Sequence, residues 1–238
     1  MRFDQTGEPM AIPARIFIPL LLLVTLAPAR AAGLDAISAQ DSGGALNQAL
    51  TQGIATAAAG LGKPDGFLGN PKVRIPLPDG LQKVEGLMRK LGMGKHADDL
   101  VAAMNHAAEA AVPEAKPLLL GAVRQMSLRD AKAILTGGDD AATEYFKRST
   151  SAQLAEKFLP IVRQATEKVQ LAEKYNRYAE KGAKLGLLRE DQASIEQYVT
   201  QKTLDGLFFM IAEEERAIRR DPLGQASNLL RKVFGAIK

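Results

Sequence analysis

The stretch Ser151-Ala152-Gln153-Leu154-Ala155-Glu156-Lys157-Phe158-Leu159-Pro160-Ile161-Val162-Arg163-Gln164-Ala165 decides the fold class. Its apolar positions Leu154, Phe158, Ile161 and Ala165 continue at Val169 and Ala172, in steps of three and four that lay one stripe along an α-helix. Pro160 inside the stripe predicts a kink. The same spacing recurs almost everywhere outward from here and period-two alternation almost nowhere. The chain therefore reads as all-α, a multi-helix bundle.

Toward the C-terminus another long helix begins near Asp191 or Ser194 and runs to about Arg220. Asp221-Pro222 breaks it, and Leu223 to Ile237 forms a terminal helix with Leu230, Val233, Phe234 and Ile237 on one face. Toward the N-terminus, Gly137-Gly138 ends a short helix that opens on a variant capping box, Ser127 with Asp130, and Asp139 or Asp140 caps the helix that follows. Pro117 starts a segment carrying Leu118, Ala122 and Met126. A helical hairpin precedes it. One arm carries Leu81, Val84, Leu87, Met88 and Leu91; Gly92-Met93-Gly94 turns the chain; the other arm carries Leu100, Met104, Ala107 and Ala111 and stops before Pro113. The first helix reads Leu46, Leu50, Ile54, Ala57, Leu61.

Between that helix and the hairpin lies one extended Pro/Gly-rich strap near residues 63–80, with Pro64, Pro71, Pro76 and Pro78. Residues before proline are pushed out of the α region, so Val73-Arg74-Ile75-Pro76-Leu77-Pro78 is extended. Its apolar residues favour packing across helices over a disordered linker.

The start of the chain bears on compartment. Arg15, the apolar run Ile16 to Leu26 and the triplet Ala29-Arg30-Ala31 are the parts of a secretory signal peptide. At ~1.5 Å per residue the run spans only ~16 Å, about half of the ~30 Å hydrocarbon core, too short for an anchor. Residues 1–31 read as a leader cleaved near Ala31, residues 32–238 as a single all-helical domain, and the location as periplasm. Asp4 and Glu8 are unusual ahead of such a run, so Met10 is the expected translation start. Three basic and two acidic residues leave with the leader, from totals of 31 and 27, so the mature net charge is about +3 with the signs interspersed. Nucleic acid, which needs clustered Lys and Arg, is not an expected partner. With no cysteine, disulfides, thiolate metal sites, a cysteine nucleophile and a lipidated cysteine are excluded.

Candidate chemistry is sparse, and no motif is specific enough to name a reaction or a cofactor. Asp41-Ser42-Gly43-Gly44 looks like the nucleophile loop of a trypsin-like protease, but that machinery needs a general-base His and an orienting Asp around the Ser on a β-barrel, and both histidines lie downstream on a helical segment; a flexible Gly-rich lead into the first helix is the better reading. His96 and His106, ten residues apart on one helix, sit ~15 Å apart along the axis and cannot share a metal ion. His106 reads as a surface histidine, or as an acid or base paired with Glu109 one turn on. Two aspartates after Gly137-Gly138 rule out a phosphate cradle, leaving capping, or a small oxygen-ligand cation site at Asp139 and Asp140.

The sharpest anomaly is Glu213-Glu214-Glu215. Glu215 falls ~20° from Leu204 and Phe208 at 100° per residue, along the apolar stripe, so its carboxylate must be paired, hydrogen-bonded or protonated. A buried ion pair with Arg124 or Arg148 is the structural reading. A general acid or cation ligand formed by Glu214 or Glu215 is the functional one. Arg231, Lys232 and Lys238 flank the apolar face of the terminal helix, whose docking on the bundle is favoured over contact with an anionic membrane.

Four segments in combination resemble one family. They are Asp65-Gly66-Phe67-Leu68 through Val73-Arg74-Ile75-Pro76-Leu77-Pro78; Met104-Asn105 through Ala110-Ala111-Val112-Pro113-Glu114-Ala115-Lys116-Pro117-Leu118; Leu135-Thr136-Gly137-Gly138-Asp139-Asp140 through Tyr145-Phe146; and Asp205-Gly206-Leu207-Phe208 through Glu213-Glu214-Glu215. The chain resembles, from about Leu46 to Phe234, a bacterial exported domain-of-unknown-function family, number 4197 in that series. The resemblance implies an exported protein of Gram-negative bacteria with no assigned activity, and it carries over no catalytic residue. The expected role is a binding or protein-interaction module of the cell envelope, with an envelope protein or small ligand as partner. The alternative is a periplasmic hydrolase or lyase using Glu214 or Glu215 with Asp139, Asp140 or Arg148.

Overall fold

In the computed structural model, residues 39–92, 94–167, 169–170, 172–177 and 194–221 are described, and among them there is no strand. The helices bounded among the described residues pack together: α1 (Ala39–Leu61), α2 (Asp79–Lys90), α3 (Gly94–Ala111), α4 (Ala115–Gln125), α5 (Leu128–Thr136), α6 (Ala141–Thr166) and α7 (Ile195–Arg220), with a 3-10 turn at Val112–Glu114. The all-α bundle is as expected. No helix among the described residues is long and apolar enough to cross a membrane. The leader, the Met10 start and the terminal helix lie outside the described residues.

The two longest helices, α6 and α7, form the centre, packed along one another, with α3 on the pair and α1 against α7 and α4. Each contributes the stripe its spacing requires: Phe146, Leu154, Phe158 and Val162 from α6, and Val199, Leu204, Leu207, Phe208 and Ile211 from α7. Leu46, Ile54 and Leu61 from α1 and Leu100 and Met104 from α3 complete the core. Burying one such side chain stabilises by ~1.5–3 kcal/mol, so the stripes rather than helix propensity hold the bundle.

Several local expectations are corrected. Asp41 to Gly44 lie within α1, not in a lead before it. The helix after Asp140 and the Ser151 stripe are one continuous α6, which ends at Thr166; Val169 falls beyond it, and buried Ala172 belongs to a further helical stretch at 172–177. Thr166 donates its hydroxyl to the Val162 carbonyl, a side-chain bond that competes with regular continuation. Pro160 stands inside α6 on its exposed side, where water can satisfy the carbonyl left without an N–H donor. The segment after Pro117 buries Leu119, Ala122 and Val123, with Leu118 and Met126 only half-buried. Leu91 lies one residue past α2 and is exposed rather than in the stripe.

The caps at Ser127 and Ser194 match the sequence. Ser127 and Asp130 form a reciprocal capping box, and the Ser194 side chain accepts from the Gln197 amide at 3.2 Å. Gly92, at φ 76°, makes the left-handed turn between α2 and α3. The strap is ordered: Phe67, Val73, Ile75 and Leu77 are all buried, and α2 begins directly after Pro78. The linker reading is thereby excluded.

Candidate functional site

Glu215 is 94% buried, as its position on the stripe requires, and donors surround it. Its Oε1 accepts from the Ala142 amide at 3.0 Å and its Oε2 from the Thr143 amide and hydroxyl, both at 2.9 Å. These amides are the first free N–H groups of α6, so a carboxylate on α7 caps a helix whose first turn lies 72 to 73 residues earlier in the chain. Arg219, one turn along α7, donates to Oε1 from Nη2 at 2.8 Å and from Nε at 3.2 Å, and its Nη2 also reaches the Ile134 carbonyl. The ion-pair partner is thus Arg219, not Arg124 or Arg148, both of which are exposed. An i,i+4 partner on the same helix needs no element to cross the bundle, and this spacing was available in the sequence.

Asp140 occupies the N-cap position of α6 but does not cap it. With Glu215 holding the first amides, Asp140 Oδ2 instead accepts from Arg216 Nη2 at 2.8 Å. The Arg216 guanidinium thus meets one of the two Asp140 oxygens, and Asp139 is exposed. Arg216 also donates to Glu213 at 2.8 Å, and Glu213 accepts from Lys72 of the strap at 2.7 Å. Hydrogen bonds from Lys72 and then Arg216 hold the Glu213 carboxyl below the usual carboxylate range. Glu214 faces α1, where a Cβ on Gly53 would stand 3.5 Å from its own Cβ; burial, then the Glu213 charge, pushes its carboxyl upward.

At the strap a second buried carboxylate plays a similar part. Glu109, 94% buried, accepts on Oε1 from the Phe67 and Leu68 amides at 3.0 and 3.1 Å and on Oε2 from the Asp65 amide at 3.3 Å. The turn it holds has Asp65 at φ 60°, a left-handed conformation that the surrounding bonds must maintain. Beside it, Asn105 closes a two-way bond with Ile75, accepting its N–H at 2.8 Å and donating to its carbonyl at 2.9 Å. His106 does not pair with Glu109. It is exposed, with Nε2 3.8 Å from Asp65 Oδ1. Asp65, His106 and Glu109 nevertheless each offer one ligand atom within 4.8 Å of the others. Asp65 was missed because it joins the histidine only through the strap fold.

A cleft of about 470 Å³ opens between α6 and α7. Leu204, Phe208, Phe209 and Ala212 give it an apolar side; Asp140, Lys147 and Arg216 stand among its polar groups. Phe209 is 38% exposed, with the Lys72 ammonium 6.0 Å from its ring centroid. Asp140 Oδ1 is buried with no hydrogen-bond partner among the described residues.

A family model described as "Protein of unknown function (DUF4197)" matches residues 36–235. The chain belongs to this family. No curated protein and no solved structure matches it. The four segments that carry the DUF4197 resemblance meet in space. The first joins the second through Glu109 and Asn105, and the third joins the fourth through Glu215, with the Asp140–Arg216 pair one residue beyond. The first and fourth meet where Gly206 leaves room for Phe67: a Cβ there would lie 2.7 Å from its ring. Lys72–Glu213 adds a second contact between them. Much of the polar character of these DUF4197 segments is therefore spent on joining elements, and the α6–α7 cleft lies beside the joints of the third and fourth.

Proposed function

We propose that this DUF4197 protein is an exported, periplasmic binding module of the cell envelope whose ligand enters the cleft between α6 and α7. The observation that carries this reading is the cleft itself. Its volume lies in the range of small-molecule sites, roughly 300–1,000 Å³, and it pairs an apolar side with a few polar groups. The buried Asp140 Oδ1 without a partner calls for a donor, because an unsatisfied buried acceptor costs ~1–3 kcal/mol. The ligand class that answers both features is a small amphipathic amine, its alkyl or aryl part on Leu204, Phe208 and Phe209 and its ammonium toward Asp140. Leader, compartment and partner class rest on the sequence. Against the hydrolase or lyase reading stands the engagement of Glu215, whose oxygens are already occupied by two amides, the Thr143 hydroxyl and Arg219.

Thermal unfolding tests the reading. Aryl- and alkylamines are run beside matched alcohols and carboxylates, on the wild type and on Phe209→Ala, a substitution at a partly exposed ring. At ~100 times its dissociation constant a ligand adds ~2.7 kcal/mol, which for a chain of this size raises the midpoint by roughly 5–10 °C. The expected result is a shift with amines only, lost in Phe209→Ala. No shift with any compound, or an equal shift in the variant, overturns the cleft as the site.

A further inference from the structure

We propose that Asp65, His106 and Glu109 bind a divalent transition-metal ion, with zinc as the ion that fits, at the joint between the strap and α3. This is independent of the cleft. The three residues offer one imidazole nitrogen and two carboxylate oxygens, within 4.8 Å of one another. Zinc takes such nitrogen and oxygen ligands at ~2.0–2.2 Å, so tetrahedral neighbours stand about 3.4 Å apart. The His106 Nε2 to Asp65 Oδ1 distance is 3.8 Å, and both side chains are more than half exposed, free to close the remaining gap.

Charge balance points the same way. Of the two buried glutamates, Glu215 has Arg219 as counter-charge, whereas Glu109 has no cation within ion-pair distance among the described residues. A buried carboxylate is costly unless its charge is met. Its three amide partners meet part of it and leave room for more: Oε1 accepts two N–H bonds, but Oε2 accepts only one, at 3.3 Å. A carboxylate oxygen has two lone-pair sites, so Oε2 keeps one for a metal. The amides then act as the outer shell that fixes the ligand's orientation. Three protein ligands leave the fourth position to water, the pattern of an open zinc site.

The test titrates zinc chloride into the metal-stripped full-length chain by calorimetry, alongside Asp65→Asn, His106→Ala and, as control, His96→Ala at the other exposed histidine of α3. Circular dichroism confirms helix content in each. The expected result is one zinc per wild-type chain, retained in His96→Ala. Binding weakens by at least ~10–100-fold in His106→Ala and Asp65→Asn, since losing a ligand costs no less than losing an outer-shell partner. Absence of a one-to-one site in the wild type overturns the proposal, as does undiminished binding in both ligand variants. Equal loss in His96→Ala does the same.

Discussion

Replacing Glu215 with glutamine keeps the shape of the side chain and exchanges one accepting oxygen for an NH2 group. Either oxygen that is exchanged then confronts donors: the Ala142 amide and the guanidinium at Oε1, or the Thr143 amide and hydroxyl at Oε2. Breaking a buried ion pair from one side costs ~3–5 kcal/mol. Arg219 is 15% exposed and keeps its bond to the Ile134 carbonyl, which relieves part of this. Loss of a helix cap alone costs ~1 kcal/mol. Glu215→Gln is therefore expected to lose ~2–4 kcal/mol in urea unfolding followed by circular dichroism, and the midpoint of heat unfolding to fall by roughly 5–15 °C. Amide exchange adds a local readout: protection at Ala142 and Thr143 falls more than at Leu154 in the middle of α6. A variant within ~0.5 kcal/mol of the wild type, the range of an ordinary surface substitution, would refute the role of Glu215 in holding α6 to α7.

Three other outcomes follow from the same contacts. Gly206→Ala drives a Cβ to 2.7 Å from the ring of the fully buried Phe67 and 3.3 Å from Val73, so chemical denaturation is expected to show a loss of ~1–3 kcal/mol. Because burial raises the Glu214 carboxyl, the folded state holds that proton more tightly than the unfolded chain, and stability falls as pH rises through the shifted range; Glu214→Gln is expected to be the more stable at pH 7, with an advantage that vanishes below the ordinary glutamate value of ~4.3. Burial, then the Asp79 charge, pushes the Tyr198 phenol up to about 12 while its hydroxyl donates to the Pro76 carbonyl at 3.2 Å; stability then declines as pH climbs from 10 toward 12, and Tyr198→Phe removes that part of the alkaline loss in denaturation curves taken across the range.

What the sequence discloses divides by distance along the chain. Helices, their stripes and the Ser127 and Ser194 caps were legible because each depends on neighbours within about one turn. Glu215 was legible as a buried carboxylate for the same reason: its angle on α7 sets its burial before any partner is known. Arg219 is legible too, since four residues on it shares the Glu215 face of α7. The capping of α6 is not legible, because Asp140 has the residue type and position of a cap, and only the approach of α7 gives the amides to Glu215 and Asp140 to Arg216. The capture of the strap by Glu109 spans 41 to 44 residues and has no local signature. Asp65 looked like a turn residue, and nothing in its neighbourhood announces that the turn sets it beside His106.

The central claim is that the α6–α7 cleft, and not the buried Glu215, meets the organic ligand. Amide and methyl NMR of the full-length chain, titrated with the amine giving the largest thermal shift, tests this directly. The account predicts perturbations centred on Leu204, Phe208, Phe209 and Arg216, with Phe67 and Leu68 unmoved. Perturbations confined to the Asp65 turn and α3, or scattered without focus on the cleft, would contradict it.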